Sequence, residues 1–177
     1  MGLFTNTIFP AAGDTGNGGI IQMVQTVKTD TFVVSGSGGS WTAITGLTVT
    51  ITPKDSSNNV LVIPSFNFAA DQAQRHGFRI LRDKGGSDLT AVHIGDANSD
   101  NQRANSFQGN PQTNAENHHY AAVCLDNPAT SSAVTYKIQI RGESDSTDLY
   151  INRPESTNTG GDFFRGCSTI TAMEVSS

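Results

Sequence analysis

Residues 134–141 read VTYKIQIR, and no other stretch of this chain constrains its fold as tightly. Val134, Tyr136, Ile138 and Ile140 fall on one side of an extended backbone, and Thr135, Lys137, Gln139 and Arg141 on the other. Side chains alternate between faces along a strand, so the segment is a ribbon with one dry face and one wet face. A helix would scatter the same four apolar residues around its circumference. Most other apolar segments read as partners for this ribbon. Residues 41–52 put Leu47, Val49 and Ile51 inward, residues 60–69 put Val60, Val62, Phe66 and Phe68 on one face, and residues 76–82 put Phe78 and Ile80 inward with Arg79 outward. Further strands are expected over 20–27, where both faces are apolar in places, and over 31–34, which continues that strand. Others are expected over 89–94, 118–125, 149–152 and 168–175. Pro64 cannot donate to a ladder, which predicts an edge strand or a bulged one.

Hydrophobic residues make up 36% of the 177-residue chain and charged residues only 15%. The remainder is Gly, Ser, Thr, Asn, Asp and Gln, a mix that suits many short strands joined by tight turns. Runs of Ala, Leu, Glu and Lys that would build long helices are missing. The expected fold is all-β, an antiparallel β-sandwich of the jelly-roll or Greek-key kind with roughly eight or nine strands. It is expected to occupy residues 20–177 as one domain, with residues 1–19 as a flexible N-terminal arm. Leu3, Phe4, Ile8 and Phe9 give that arm an apolar tip, and PAAGDTGNGG gives it a hinge. The tip either folds back on its own domain or docks on a neighbouring chain.

Several functions are disfavoured at this level. A net charge of −5 without a basic stripe argues against nucleic-acid binding, which draws on clustered Lys and Arg. No apolar run approaches membrane-spanning length, so no membrane insertion is expected. The N-terminus lacks the basic region and apolar core of a signal peptide, and Asn6 stands where a myristoylation motif wants Ser or Thr. A product made in the cytoplasm and left soluble there follows as the expectation. Cys124 and Cys167 sit far apart without C-x-x-C spacing, and are expected to be buried, reduced side chains rather than a disulfide.

Motifs that carry chemistry are sparse. None of the four lysines follows a glycine as a phosphate-binding loop requires, and G-x-G-x-x-G, G-x-S-x-G and H-E-x-x-H do not occur. His118 and His119 are adjacent on a strand and point to opposite faces, poor geometry for one metal. Asp96, Asn98 and Asp100 offer oxygens at alternate positions like the start of a calcium loop. Asn101 stands where that loop needs Gly, however, and Phe107 where it needs Glu, so an Asx-rich turn competes with the metal reading. Arg75, His76, Arg79 and Arg82 form a short basic stripe, either an outward strand face paired with acids or a subunit contact. Residues 95–117 make a long polar connection, a type that is usually functional or disordered. No cofactor, no resident metal and no catalytic residue are expected.

Several blocks taken in order carry a resemblance: IIQMVQTVKTDTF (20–32), GLTVTITP (46–53), GFRILR (77–82), VTYKIQIR (134–141), LYINR (149–153) and GCSTITAMEV (166–175). Together they resemble a family of small virion structural and tail-fibre-like proteins of tailed phages that infect marine and aquatic bacteria such as cyanobacteria. The resemblance covers most of the chain from Ile20 onward. It implies a non-enzymatic component of the virion surface, oligomeric and of trimeric type, and it transfers no catalytic residues. The chain departs from a fibre in having no shaft segment, and residues 95–117 lie outside the resembling blocks.

The favoured function is a head-decoration or cement protein, with Leu3, Phe4, Ile8 and Phe9 buried in a groove of a neighbouring subunit and the major capsid protein or another virion protein as partner. The alternative is a tail-fibre or receptor-binding tip whose Asn- and Gln-bearing loops, with Phe107 and Tyr120 nearby, recognise host surface glycan. A small polysaccharide-degrading enzyme that uses loop carboxylates is a third reading.

Overall fold

The structure, a computed structural model, describes residues 19–36, 39–70, 75–86, 88–108, 117–143, 148–156 and 164–177. Among these are twelve strands and no helix: β1 (Ile20–Lys28), β2 (Phe32–Val34), β3 (Thr42–Ile51), β4 (Asn59–Ala70), β5 (His76–Asp83), β6 (Leu89–Val92), β7 (Ser106–Gln108), β8 (His118–Ala121), β9 (Cys124–Asp126), β10 (Val134–Gly142), β11 (Leu149–Ile151) and β12 (Ser168–Val175). Every pairing is antiparallel. One sheet of seven strands runs β1-β12-β4-β11-β2, with β8 and β9 also on β4. The other, of five, runs β3-β10-β5-β6, with β7 also on β5. Their inner faces share one core, so the antiparallel sandwich expected from the sequence is the fold.

The VTYKIQIR ribbon is β10, with β3 on one side and β5 on the other. Its four apolar side chains are at most 1% exposed. Opposite them, Val60, Val62, Phe66 and Phe68 of β4 point inward as their alternation predicts. Phe66, Phe68, Phe78 and Tyr120 cluster with ring centroids 4.6–6.2 Å apart, in tilted and edge-on arrangements that suit aromatic quadrupoles.

The structure corrects the expectation for Pro64. β4 is central, with β12 on one edge and β8 and β9 on the other, and Pro64 lies opposite Ile170 in its middle. The sheet tolerates it because the partner on the other edge is broken there: β8 covers Ser65–Phe68 and β9 covers Val60–Val62. The Pro64 carbonyl accepts from Ala122 N at 3.3 Å, which places the side lacking an N–H at this break. For the same reason residues 118–125 are two strands, where the sequence predicts one. The 31–34 segment also differs, since β2 pairs with β11 at the far side of the sheet from β1.

Three buried polar residues tie distant segments together. Glu174, wholly buried on β12, accepts from Gln22 Nε2 (2.6 Å), Lys54 N (2.6 Å), Asn58 Nδ2 (2.7 Å) and Asp55 N (3.4 Å). Burial acts to raise its pKa, but the Asn58, Gln22, Lys54 and Asp55 hydrogen bonds outweigh it and hold the carboxyl below its ordinary value. Asn152, also wholly buried, adopts φ 62°, a left-handed conformation that Asn tolerates. Its amide donates to Lys28 O and Asp30 O, both at 2.9 Å, and its Oδ1 accepts from Ser168 Oγ at 2.5 Å. Asp126 accepts from Arg82 Nη1 (2.9 Å) and from the Tyr136 hydroxyl (2.8 Å), closing one end of the core. Arg82 and His76 therefore point inward while Arg79 points outward, so the basic stripe expected over 75–82 is divided between two faces.

Candidate functional site

The two outer faces of the sandwich differ in kind. On the five-stranded sheet charged and polar pairs stand among the outward positions, beside Leu81, Leu89 and Phe107: Lys137 pairs with Asp83 at 2.6 Å, Thr50 and Thr135 share a 2.8 Å hydrogen bond, and Arg79 Nε donates to Gln139 Oε1 at 2.7 Å. On the seven-stranded sheet, no Asp, Glu, Lys or Arg occupies an outward position within the described strands. The register there sets Met23, Met173, Leu61 and Leu125 side by side across β1, β12, β4 and β9. Ile21, Val27 and Val123 extend the patch. Met23 is 61% exposed, Leu125 57% and Val123 63%.

A wet outer face on an antiparallel sheet normally carries polar side chains. Contiguous apolar side chains there mark an interaction surface. The β1 stretch was legible as apolar on both faces, and its outward Ile21, Met23 and Val27 bear that reading out. The contribution of Leu61, Val123, Leu125 and Met173 was missed, because only the strand order places them in one row. Leu3, Phe4, Ile8 and Phe9 lie outside the described residues. The chain enters the sheet at Gly19, whose N–H donates to Ser176 Oγ at 3.0 Å and whose carbonyl accepts from Ser176 N at 2.9 Å.

A second feature lies on the opposite side of the molecule. The 95–108 connection folds over one end of the five-stranded sheet and encloses a cleft of about 1030 Å³ with Trp41, Arg75, Arg141 and Glu143. Asn105 fastens this connection: its N–H donates to Phe78 O (2.8 Å), its Oδ1 accepts from Ile80 N (2.6 Å) and its Nδ2 donates to His93 O (2.5 Å). Gly95 N donates to Ala104 O at 3.1 Å, and Arg103 Nε to Gly95 O at 2.6 Å.

On the cleft floor Phe107 lies opposite Gly77 in the β5–β7 register, and Trp41 packs over the same glycine. A Cβ at Gly77 would stand 3.0 Å from Trp41 Cη2, so a larger residue there would push the indole outward. The Arg79 guanidinium sits 4.3 Å from the Trp41 ring centroid, and Trp41 Nε1 donates to Gln102 Oε1 at 3.3 Å. Phe107 is 77% exposed. Arg75 pairs with Glu143 at 2.9 Å, whereas Arg141 Nε is enclosed and has no hydrogen-bond partner among the described residues. Burial, and then the like charge of Arg141, lower the pKa of Arg79. His76 lies beneath the cleft, 1% exposed, and neither ring nitrogen has a partner among the described residues. Burial pulls its pKa down to about 4, with His118 adding to the effect and Glu143 opposing it.

The structure places the other candidates plainly. Asp96, Asn98 and Asp100 are exposed on the cleft rim, where Asn101 N closes a turn on Asn98 O at 3.0 Å, and among the described residues no three His, Cys, Asp or Glu side chains group as metal ligands would. His118 and His119 do point to opposite faces, His119 reaching Ser65 Oγ at 2.9 Å on the outside. Tyr120 is 7% exposed in the aromatic core, which removes it from any surface role. Cys124 is buried and free, and burial pushes its thiol up to about 11. Cys167 is free and exposed, contrary to the expectation that both are buried.

No family model matches the chain, and no curated protein matches it. Among solved structures it is similar to that of infectious bursal disease virus, Gx strain, with 15% identity and a TM-score of 0.34 over 88% of this chain. The chain spans 38% of that protein's length.

Proposed function

We propose that this protein is a non-enzymatic structural component of a tailed-phage virion, a head-decoration or cement protein that docks on the capsid through the outer face of its seven-stranded sheet. The row of Met23, Met173, Leu61 and Leu125, on a face whose described strands carry no outward Asp, Glu, Lys or Arg, carries this reading. The fitting partner is an apolar, uncharged patch of the shell protein, because a charge buried against this face would go unpaired. The polar face opposite, with its Lys137–Asp83 pair, then looks outward into solvent.

Removing the exposed part of an aliphatic side chain from water stabilises by about 1 kcal/mol, so the five most exposed, Ile21, Met23, Val27, Val123 and Leu125, give on the order of 5 kcal/mol before the cost of association. That is modest for one copy. Many copies that each bridge adjacent capsomers multiply it, and the arm of residues 1–19 would add a second attachment to a neighbouring chain.

Copy number tests the assignment to the head. Densitometry of purified particles should give hundreds of copies, and a few tens would move the protein to the tail. Leu125→Asp tests the face: the variant should fold as the parent does by circular dichroism and fail to bind shells stripped of this protein. Retained binding would remove the sheet face from the docking surface.

A further inference from the structure

We propose that the cleft between Trp41 and Phe107 binds a saccharide chain, with a carboxylate-bearing sugar seated at Arg141. The site is on the side of the molecule away from the apolar sheet face, so the inference stands whichever body that face docks on.

Phe107 is the first reason. A phenylalanine that is 77% exposed on an outward strand position gains nothing from the folding of its own chain. Its neighbour across Gly77 is the indole of Trp41, whose Cη2 lies 3.0 Å from where a Cβ on that glycine would stand. Two rings flanking one bare backbone position make an apolar platform of the kind that packs against the C–H face of a pyranose. Around it stand amide and carboxyl side chains, Asn98, Asn101 and Gln102 with Asp96 and Asp100, which are suited to directional hydrogen bonds with hydroxyls. The volume, about 1030 Å³, is at the upper end for small-molecule sites and calls for several sugar rings rather than one.

Arg141 is the second reason, and it selects the charge. Arg75 is paired with Glu143, and the exposed Arg103 gives its Nε to the Gly95 carbonyl, whereas Arg141 Nε is enclosed with no acceptor among the described residues. Beside it Arg79 is stacked on Trp41 and gives its Nε to a neutral amide, so no acid in the described structure neutralises either guanidinium directly. Arg141 lines the cleft, so a carboxylate arriving at the outer nitrogens of its guanidinium, rather than at the enclosed Nε, would accept a charge-assisted hydrogen bond and relieve the repulsion between the two cations. Asp96, Asp100 and Glu143 on the same walls disfavour a polyanion as dense as nucleic acid. The cleft suits a sparsely charged chain: an acidic glycan with uronic acids.

Trp41 is the only tryptophan in the sequence, so its fluorescence reports this cleft alone. The full-length protein is titrated with oligogalacturonate, oligomannuronate, methyl-esterified oligogalacturonate, a neutral malto-oligosaccharide and poly-glutamate. The expected result is a saturable change with at least one uronate, at least about tenfold weaker with the ester and the neutral chain. Phe107→Ala and Arg141→Gln should each weaken the uronate by about tenfold while the melting temperature stays within about 2 °C. No saturable change with either uronate up to about 5 mM overturns the proposal. Equal affinity for ester and acid overturns the role of Arg141, and an equal response to poly-glutamate overturns the sugar assignment in favour of an acidic peptide. Undiminished binding by Phe107→Ala overturns the location. A Leu125→Asp protein that fails to dock on shells should still bind uronate, which separates failure of this inference from failure of the capsid-docking reading.

Discussion

Replacing Glu174 with Gln should cost this fold about 3 kcal/mol at neutral pH. Oε1 accepts from Lys54 N, Asn58 Nδ2 and, at longer range, Asp55 N, while Oε2 accepts from Gln22 Nε2. A glutamine that keeps its oxygen towards the 53–58 turn retains two short bonds, now to a neutral acceptor, which weakens each by about 1 kcal/mol. Its NH2 then faces Gln22 Nε2, donor against donor. Gln22 cannot flip without losing its 2.7 Å bond to Thr52 O, so one further bond of about 1 kcal/mol is lost. For a domain of this size the sum corresponds to a fall in melting temperature of roughly 10 °C. The folded pKa of Glu174 is depressed, so its stabilisation is present above the ordinary value of 4.5 and is lost as pH falls through the folded value. The gap between the parent and Glu174→Gln should therefore be full at pH 7 and narrow progressively once the pH falls below the ordinary 4.5. Urea titrations of both proteins from pH 7 to about pH 2.5 measure it. A difference under about 0.5 kcal/mol at pH 7, or one that persists unchanged in acid, would refute the reasoning.

His76 gives an opposite case with the same sign. Its folded pKa of about 4 lies below the ordinary 6.5, so the parent should lose stability as pH drops from about 6.5 to 4, on the order of 3 kcal/mol. His76→Phe, beside Phe68, should flatten the urea-derived stability profile in that window, and an unchanged slope would show that another group titrates there. Tyr136→Phe leaves Asp126 with Arg82 but without its 2.8 Å hydroxyl donor, and chemical denaturation should register a loss of about 1–2 kcal/mol. Asp126→Ala should cost more, about 3–5 kcal/mol, because the Arg82 guanidinium is then left uncompensated in a largely buried position.

Strand existence and facing were legible because period-two alternation is a local signal. Val134 to Ile140, Val60 to Phe68, and Phe78 with Ile80 all lie on the faces their sequence dictates. Strand order was not legible, since among the pairings only β5 and β6 are neighbours in the chain. The Pro64 expectation failed for that reason: the rule that proline avoids a paired N–H held, but it was met by a break between β8 and β9, invisible from the proline's own strand. The cleft was legible in part. An unusually long polar connection containing Phe107 signalled a surface feature, but Trp41 joins it through the close approach over Gly77 and its hydrogen bond to Gln102, and nothing near residue 41 announces those contacts. Tyr120 sits near polar residues in sequence yet alternates into the core.

β12 lies between β1 and β4, so the row that begins with Met23 is completed by Met173, a residue from the final strand of the chain. A nascent chain still on the ribosome has Met23 and Leu61 but no means of setting them in one surface, and the Asn152 carboxamide oxygen lacks its Ser168 donor until residue 168 has emerged. A copy cut short before residue 168 therefore lacks both the continuous apolar row and the Ser168 hydroxyl that holds Asn152.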